Sequence, residues 1–142
     1  MNSVAPTPSA KPALYSFLAF DYGARRVGVA TGNTLTHTAT PIRTIAADGE
    51  ARFTAIGALI DEWRPHALVV GVPFHPDGAA HDNTVRARRF ARQLHGRFHL
   101  MVHEVDERYS TTEAHAQGAA DADAASAAII LEQYLRTLET NQ

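Results

Sequence analysis

Acidic residues directly follow two apolar segments of this 142-residue chain, and both segments are typical of buried strands. Asp21 directly follows the apolar run 17–20. Asp106 and Glu107 end the segment 100–105 in the same manner. Carboxylates that converge at neighbouring strand ends repel one another unless a proton or a cation lies between them. Oxygen-only ligands suit Mg²⁺ or Mn²⁺, which can activate water for phosphodiester hydrolysis. These positions predict a metal-dependent hydrolytic site at one edge of a sheet.

Asp123 opens the last helical segment of the chain. At helical spacing it lies on the stripe expected to face the core, which contains Ala127, Ile130, Leu131 and Tyr134. In an open sheet covered by helices, groups at the strand ends line the crevice in which ligands bind. Asp123 therefore joins Asp21 and the Asp106–Glu107 pair as a candidate metal ligand.

Each of these acidic residues also has an ordinary structural interpretation. Asp21 could form a turn before a glycine. Asp123 or Asp121 could cap the last helix. Glu107 could pair with a neighbouring arginine on the surface. Three acidic residues at element ends in a compatible order favour the metal site over three separate structural roles.

The hydrophobic pattern predicts the elements that position these residues. Short apolar runs predict five strands, near 17–20, 27–31, 38–45, 67–73 and 100–105. Helical spacing predicts helices near 53–63, 84–96 and 123–138. An antiparallel start followed by crossover helices predicts an α/β fold. Its mixed five-stranded sheet has three antiparallel strands and then two parallel ones, flanked by helices.

Two local features refine this arrangement. Pro41 predicts that the third strand lies at the sheet edge or carries a bulge. Asn83 or Thr84 is expected to cap the second helix. The apolar stripe of that helix consists of Ala87, Phe90, Ala91 and Leu94.

Length and composition predict a single domain over residues 14–138. Residues 1–13 are rich in Pro, Ala and Ser and are expected to form a disordered tail, and 139–142 a short C-terminal tail. The chain has no cysteine, which excludes disulfides, thiolate zinc sites and a cysteine nucleophile. No apolar run approaches the roughly 20 residues of a membrane span, so a cytoplasmic location is expected.

The formal net charge of the chain is −2. A nucleic-acid partner would therefore have to be bound by a local patch of Lys and Arg residues. The second helix carries a dense arginine cluster, which either forms a solvated face or contacts phosphates. Further arginines stand in the turn after Asp21 and next to Glu107. The candidate substrate-binding residues are Arg25, Arg26, Arg88, Arg89, Arg92 and Arg108.

The sequence contains neither a known phosphate-binding loop nor a histidine metal-binding motif. The phosphate-loop patterns GxGxxG and GxxxxGK[ST] are absent, which argues against a nucleotide-loop enzyme. The eight histidines lack metal-ligand spacing. His75 and His81 bracket the loop after the fourth strand and could approach the acidic site as proton-transfer groups.

Four motifs in chain order resemble the YqgF/RuvX family over about residues 14–138. They are Phe20-Asp21-Tyr22-Gly23 with Arg26-Val27-Gly28-Val29-Ala30, Val70-Gly71-Val72-Pro73 before Asp77-Gly78, Asp106-Glu107-Arg108-Tyr109-Ser110-Thr111, and Asp123-Ala124-Ala125-Ser126-Ala127-Ala128-Ile129-Ile130-Leu131. The resemblance implies an RNase H-like fold and a metal-dependent endonuclease that acts in 5′-end processing of precursor 16S rRNA. It implies Asp21, Glu107 and Asp123 as catalytic, metal-binding residues for Mg²⁺ or Mn²⁺.

The resemblance also bears on the Asp106–Glu107 pair. Successive strand residues point to opposite faces, so only one of the two faces the metals. Family position favours Glu107. The chain departs from many relatives in having Phe74-His75-Pro76 after the fourth strand. Its segment 114–122 is also shorter and lacks the glycine- and lysine-containing stretch that could hold the substrate.

Three other functions remain open from the sequence. Resolution of Holliday junctions requires two active sites and therefore a symmetric dimer, whereas we expect a monomer or weak homodimer. A non-catalytic RNA-binding or transcription-associated factor could retain the fold. The Asp-Tyr-Gly turn and the strand after it also resemble the first phosphate motif of actin- and hexokinase-like ATP-binding proteins, which need two such domains.

Overall fold

The computed structural model describes residues 15–107 and 121–140. The expected N-terminal tail, Arg108 and almost all of segment 114–122 lie outside the described residues. The strands are β1 (Ser16–Tyr22), β2 (Val27–Asn33), β3 (Ala39–Ile45), β4 (Ala67–Val72) and β5 (Met101–Asp106). The described helices are α1 (Gly49–Trp63), α2 (Asp82–Phe98) and α3 (Ala122–Thr140).

The five strands form one sheet in the order β3-β2-β1-β4-β5. β1 pairs antiparallel with β2, and β2 with β3. β4 pairs parallel with β1 and with β5. The predicted mixed sheet, with three antiparallel strands and then two parallel ones, is therefore confirmed. Because β1, β3, β4 and β5 run in one direction, their carboxyl ends meet at the same edge.

β3 has both features that Pro41 predicts. It is an edge strand. Its register against β2 shifts between Val29, which faces Arg43, and Ala30, which faces Pro41. Ile42 is therefore the extra residue of a bulge.

Helices cover the two faces of the sheet and create a core on each. The core under α1 and α2 includes Leu18, Phe20, Val70, Ile56 and Phe90. The core under α3 includes Phe17, Ala19, Val69, Ile130 and Leu131. Alternate residues of β1 thus face opposite layers, as the period of a strand requires. None of the described helices is long and apolar enough to cross a bilayer.

The predicted cap of α2 is wrong. The helix begins at Asp82 and is capped by His81, whose Nδ1 accepts a hydrogen bond from the Asn83 backbone N–H at 3.1 Å. The Thr84 hydroxyl accepts from the His81 N–H at 3.0 Å and donates to the Pro73 carbonyl. Thr84 is buried because it ties the first turn of the helix to the end of β4.

Candidate active site

Asp21 lies in a row of five residues that crosses the whole sheet. The register aligns Thr44, Gly28, Asp21, Gly71 and Val105. Residues that face one another on adjacent strands share a face of the sheet, and Val105 packs in the core under α3. Asp21 therefore lies on the α3 face near the carboxyl end of β1, with a glycine on either side.

The two glycines leave space for the other acidic residues. A Cβ atom at Gly28 would collide with the backbone carbonyl of Asp123. A Cβ atom at Gly71 would collide with Cδ1 of Ile130 and would lie 2.9 Å from Oε2 of Glu107. Glycine at these positions therefore lets the start of α3 and the Glu107 side chain approach Asp21 from opposite sides.

Glu107 forms a hydrogen bond with Asp21. The pKa of Glu107 rises to about 8 because its carboxyl group is buried; the negative charge of Asp21, the hydrogen bond to it and the charge of Asp106 raise it further. At neutral pH Glu107 therefore retains a proton and donates it to the Asp21 carboxylate. The proton relieves a repulsion that a cation could relieve instead.

Asp106 belongs to the opposite face of the sheet. It lies in register with Val72, which packs in the core under α1 and α2. At the end of β5, Glu107 is the acidic residue that forms the hydrogen bond with Asp21.

Asp121, not Asp123, occupies the capping position of α3. Its Oδ1 accepts a hydrogen bond from the Ala124 N–H at 3.5 Å and another from the Thr44 hydroxyl. Asp123 lies in the first turn of the helix, where its Oδ2 pairs with the Arg26 Nε at 3.0 Å. The carboxylate of Asp123 is therefore available to a ligand that can replace Arg26.

The donor set suits a hard divalent cation, although the carboxylates do not surround a common point. Within residues 15–107 and 121–140, no three His, Cys, Asp or Glu side chains are grouped closely enough to hold a metal ion. Asp21 and Glu107 form a hydrogen bond with each other, and Asp123 pairs with Arg26. All three supply oxygen ligands, the type that Mg²⁺ and Mn²⁺ prefer.

The turn after β1 carries two basic residues close to Asp123. Arg25 and Arg26 are exposed there and line an open cavity of about 670 Å³ together with Ala24 and Asp123. We call this space the Asp123 cavity. A phosphate bound in it would meet guanidinium groups at the same edge of the sheet as the carboxylates.

The predicted arginines of α2 do not form a single track. Arg88 pairs with Glu104 at 3.3 Å, and its guanidinium carbon lies 5.3 Å from the centre of the Phe74 ring. Arg92 is exposed, and Arg89 lines a second cavity at the sheet edge. The apolar stripe of the helix is buried as predicted.

The two loop histidines contact one another. The ring centres of His75 and His81 lie 4.6 Å apart. His81 uses its ring nitrogen to cap α2. In the described part of the chain, neither histidine forms a hydrogen bond with Asp21, Glu107 or Asp123.

One charged residue of the site region was missed by sequence reasoning. Arg52 of α1 is only 4% exposed. The signal is present in its spacing, since Arg52, Ile56 and Leu59 lie at positions i, i+4 and i+7 of one buried helix face.

Comparisons with known proteins agree with this architecture. A family model described as RuvX, Holliday junction resolvase, matches residues 15–137. A relative from Polaromonas sp. named as a pre-16S rRNA nuclease is 67% identical over 136 residues, covering 96% of this chain and 99% of the relative. A relative of the same name from Albidiferax ferrireducens is 66% identical over 125 residues, covering 88% and 80%.

Solved structures share the fold at low sequence identity. Thermus thermophilus RuvC in complex with a Holliday junction substrate has a TM-score of 0.55 at 14% identity, covering 88% of this chain and 96% of that chain. Archaeoglobus fulgidus Pelota has a TM-score of 0.50 at 9% identity, covering 89% and 35%. The predicted RNase H-like fold is confirmed.

Proposed function

Given that this chain belongs to the RuvX family and is a nuclease, we propose that it uses Mg²⁺ or Mn²⁺ to hydrolyse phosphodiester bonds in precursor 16S rRNA. The observation that carries the proposal is the position of Asp21 between two glycines, with Glu107 on one side and the start of α3 on the other. This arrangement directs acidic side chains from three elements toward one edge of the sheet.

Asp21, Glu107 and Asp123 would hold the metal. When bound, the ion would supply a nucleophilic hydroxide and stabilise charge on the leaving oxygen. Binding requires Glu107 to give up the proton that it shares with Asp21. Metal affinity should therefore rise with pH, as for any site whose ligands must first be deprotonated.

Arg26 would change partners when substrate binds. Its side chain is 65% exposed, and an exposed ion pair contributes only about 0–1 kcal/mol. Release of Asp123 therefore costs little. The freed guanidinium, beside exposed Arg25, can form paired hydrogen bonds with phosphate oxygens in the Asp123 cavity.

The substrate assignment rests on the close relatives, which carry the name of pre-16S rRNA nucleases. Cleavage at the 5′ end of the precursor would take place in the cytoplasm. A single site is sufficient for this reaction, so a monomer or weak homodimer would be competent.

The description of the family supports a second candidate, the Holliday junction. Resolution requires two symmetric cuts and therefore two active sites in a stable dimer. A monomeric enzyme that cleaves precursor RNA would exclude it.

The two candidates are separated by incubating the purified protein and Mn²⁺ with a 5′-extended 16S rRNA fragment or with a four-way DNA junction. We expect metal-dependent cleavage of the RNA, and no cleavage by an Asp21→Asn variant. Cleavage of the junction alone would overturn the RNA assignment. Equal processing of the precursor in cells that carry wild type or Asp21→Asn would instead favour a non-catalytic RNA-binding protein.

A further inference from the structure

Arg52 is a buried cation without an acidic partner in the described part of the chain. Its Nε donates to the Ala47 carbonyl at 2.8 Å, and its Nη2 donates to the Ala24 carbonyl at 3.2 Å. Its guanidinium carbon lies 5.4 Å from the centre of the Tyr22 ring. Carbonyls and rings hold the guanidinium in place but do not neutralise it, so an anion beside it would be favoured.

Two arginines of α2 extend this positive charge to the surface. Arg86 and Arg89 line the same cavity as Arg52, which has a volume of about 270 Å³. Both are exposed, and neither forms an ion pair within residues 15–107 and 121–140. We call this cavity the Arg52 pocket. Its one lining carboxylate is Asp48, so three arginines face a single acidic residue.

The start of α1 adds to the attraction for an anion. Asp48 precedes the helix without forming a side-chain cap, and Gly49 at the first helical position lines the pocket. The N–H groups of a first helical turn have no partners within the helix and attract negative charge. Gly49 has a φ of 57°, a conformation that disfavours other residues.

The Arg52 pocket lies next to the Asp123 cavity. Ala24 lines both spaces, and its carbonyl accepts the hydrogen bond from Arg52. Tyr22 lines the Arg52 pocket from the end of β1, one residue after Asp21. The turn between β1 and β2 therefore separates two basic cavities at a single sheet edge.

We propose that the Arg52 pocket binds a backbone phosphate of the RNA strand whose neighbouring phosphodiester lies in the Asp123 cavity. The identity of that strand rests on the proposed function, whereas the anion site rests on the three arginines alone. Arg52 would supply a fixed charge at the base of the pocket. Arg86 and Arg89 would close on the phosphate from the solvent side with paired hydrogen bonds.

The test removes the exposed arginines and leaves Arg52 in place, because Arg52 also holds two backbone segments together. The variant is Arg86→Gln with Arg89→Gln. The matched control, Arg64→Gln with Arg136→Gln, removes the same charge from exposed positions that line neither cavity. Binding of a fluorescently labelled 5′-extended 16S rRNA fragment is measured by anisotropy in EDTA at several salt concentrations.

We expect the pocket variant to bind the RNA about tenfold more weakly than wild type. The slope of log Kd against log salt should fall by about one, as for the loss of a phosphate contact. The control should match wild type in both quantities. Equal weakening of the two variants would mean a general effect of charge and would overturn the proposal, as would unchanged binding by the pocket variant.

Failure of the proposed function would remain distinguishable. A wild-type protein that binds the RNA through these arginines but does not cut it with Mn²⁺ would refute the nuclease assignment and leave the pocket standing. A wild-type protein that cuts the RNA, with a pocket variant that binds it equally well, would refute only the pocket.

Discussion

The backbone carbonyl of Asp123 occupies the space that a side chain at Gly28 would fill. Gly28 is also the neighbour of Asp21 across the β1–β2 pair. One missing side chain thus lets the first turn of α3 approach the strand that carries the proposed metal ligand. The position of Asp123 therefore depends on the glycine of β2 as well as on α3.

A methyl group at Gly28 should move the start of α3 away from Asp21. We expect Gly28→Ala to lower the free energy of unfolding by about 1–3 kcal/mol, as overpacking does, and to abolish RNA cleavage. Urea titration and cleavage assays measure the two effects. The control is Gly96→Ala, where a Cβ meets no atom within 4 Å, and it should be neutral or slightly stabilising. Full activity in Gly28→Ala would show that the approach of α3 is dispensable.

Asp21→Asn should stop cleavage without unfolding the protein. The amide keeps the size of the side chain but removes a charged ligand, which should lower kcat by about 10²–10³-fold or more. Circular dichroism should show an unchanged fold. Asp61→Asn, at an exposed position on α1, is the matched control and should retain wild-type kcat. Comparable rates in both variants would remove Asp21 from the mechanism.

The metal-free protein should become less stable as pH rises from about 4.5 to about 8. The pKa of Glu107 is raised from its ordinary value of 4.5 to about 8 in the folded chain. Between these values the folded state binds a proton that the unfolded state has lost, so each unit of pH removes at most about 1.4 kcal/mol. Urea unfolding in EDTA at pH 5, 6, 7 and 8 measures the slope.

Glu107→Gln is the control for this dependence, since it cannot titrate. The variant should have a flatter profile over the same pH range. A wild-type profile that stays flat, or that rises with pH in parallel with the variant, would contradict the proton shared by Glu107 and Asp21.

Removal of Arg26 should have opposite effects on metal binding and on catalysis. Arg26→Ala frees Asp123 from its ion pair, so Mn²⁺ affinity measured by calorimetry should be unchanged or higher. Cleavage should fall about tenfold or more because a phosphate contact is lost. Arg136→Ala, on the exposed side of α3, should change neither quantity. Weaker Mn²⁺ binding by Arg26→Ala would indicate that the arginine only supports the structure.

The sheet could be predicted because its central strands are buried on both faces. Residues 17–20 and 67–70 are all buried, so both appear in the sequence as uninterrupted apolar runs. Pro41 identified the edge strand because a residue without an N–H is tolerated there. The central strands and the edge strand could therefore be predicted from the residue types within each segment.

The contacts of the site could not be predicted in the same way. The pairing of Arg26 with Asp123 joins residues almost a hundred positions apart and depends on where α3 meets β2. The choice of Glu107 over Asp106 required family position, because alternation alone does not say which face carries the site. His81 caps α2, and the Thr84 hydroxyl binds both the His81 N–H and the Pro73 carbonyl, a contact between separate elements.

Diffraction from crystals soaked in Mn²⁺, with data collected at the manganese absorption edge, shows whether the three carboxylates bind one metal site. We predict an anomalous peak bounded by Asp21, Glu107 and Asp123, with Arg26 displaced from its ion pair. The same soak of Asp21→Asn crystals should give no peak at this position. An Arg26–Asp123 pair that stays intact in the wild type, with manganese absent from these three carboxylates, would mean that Asp21, Glu107 and Asp123 do not form a metal site.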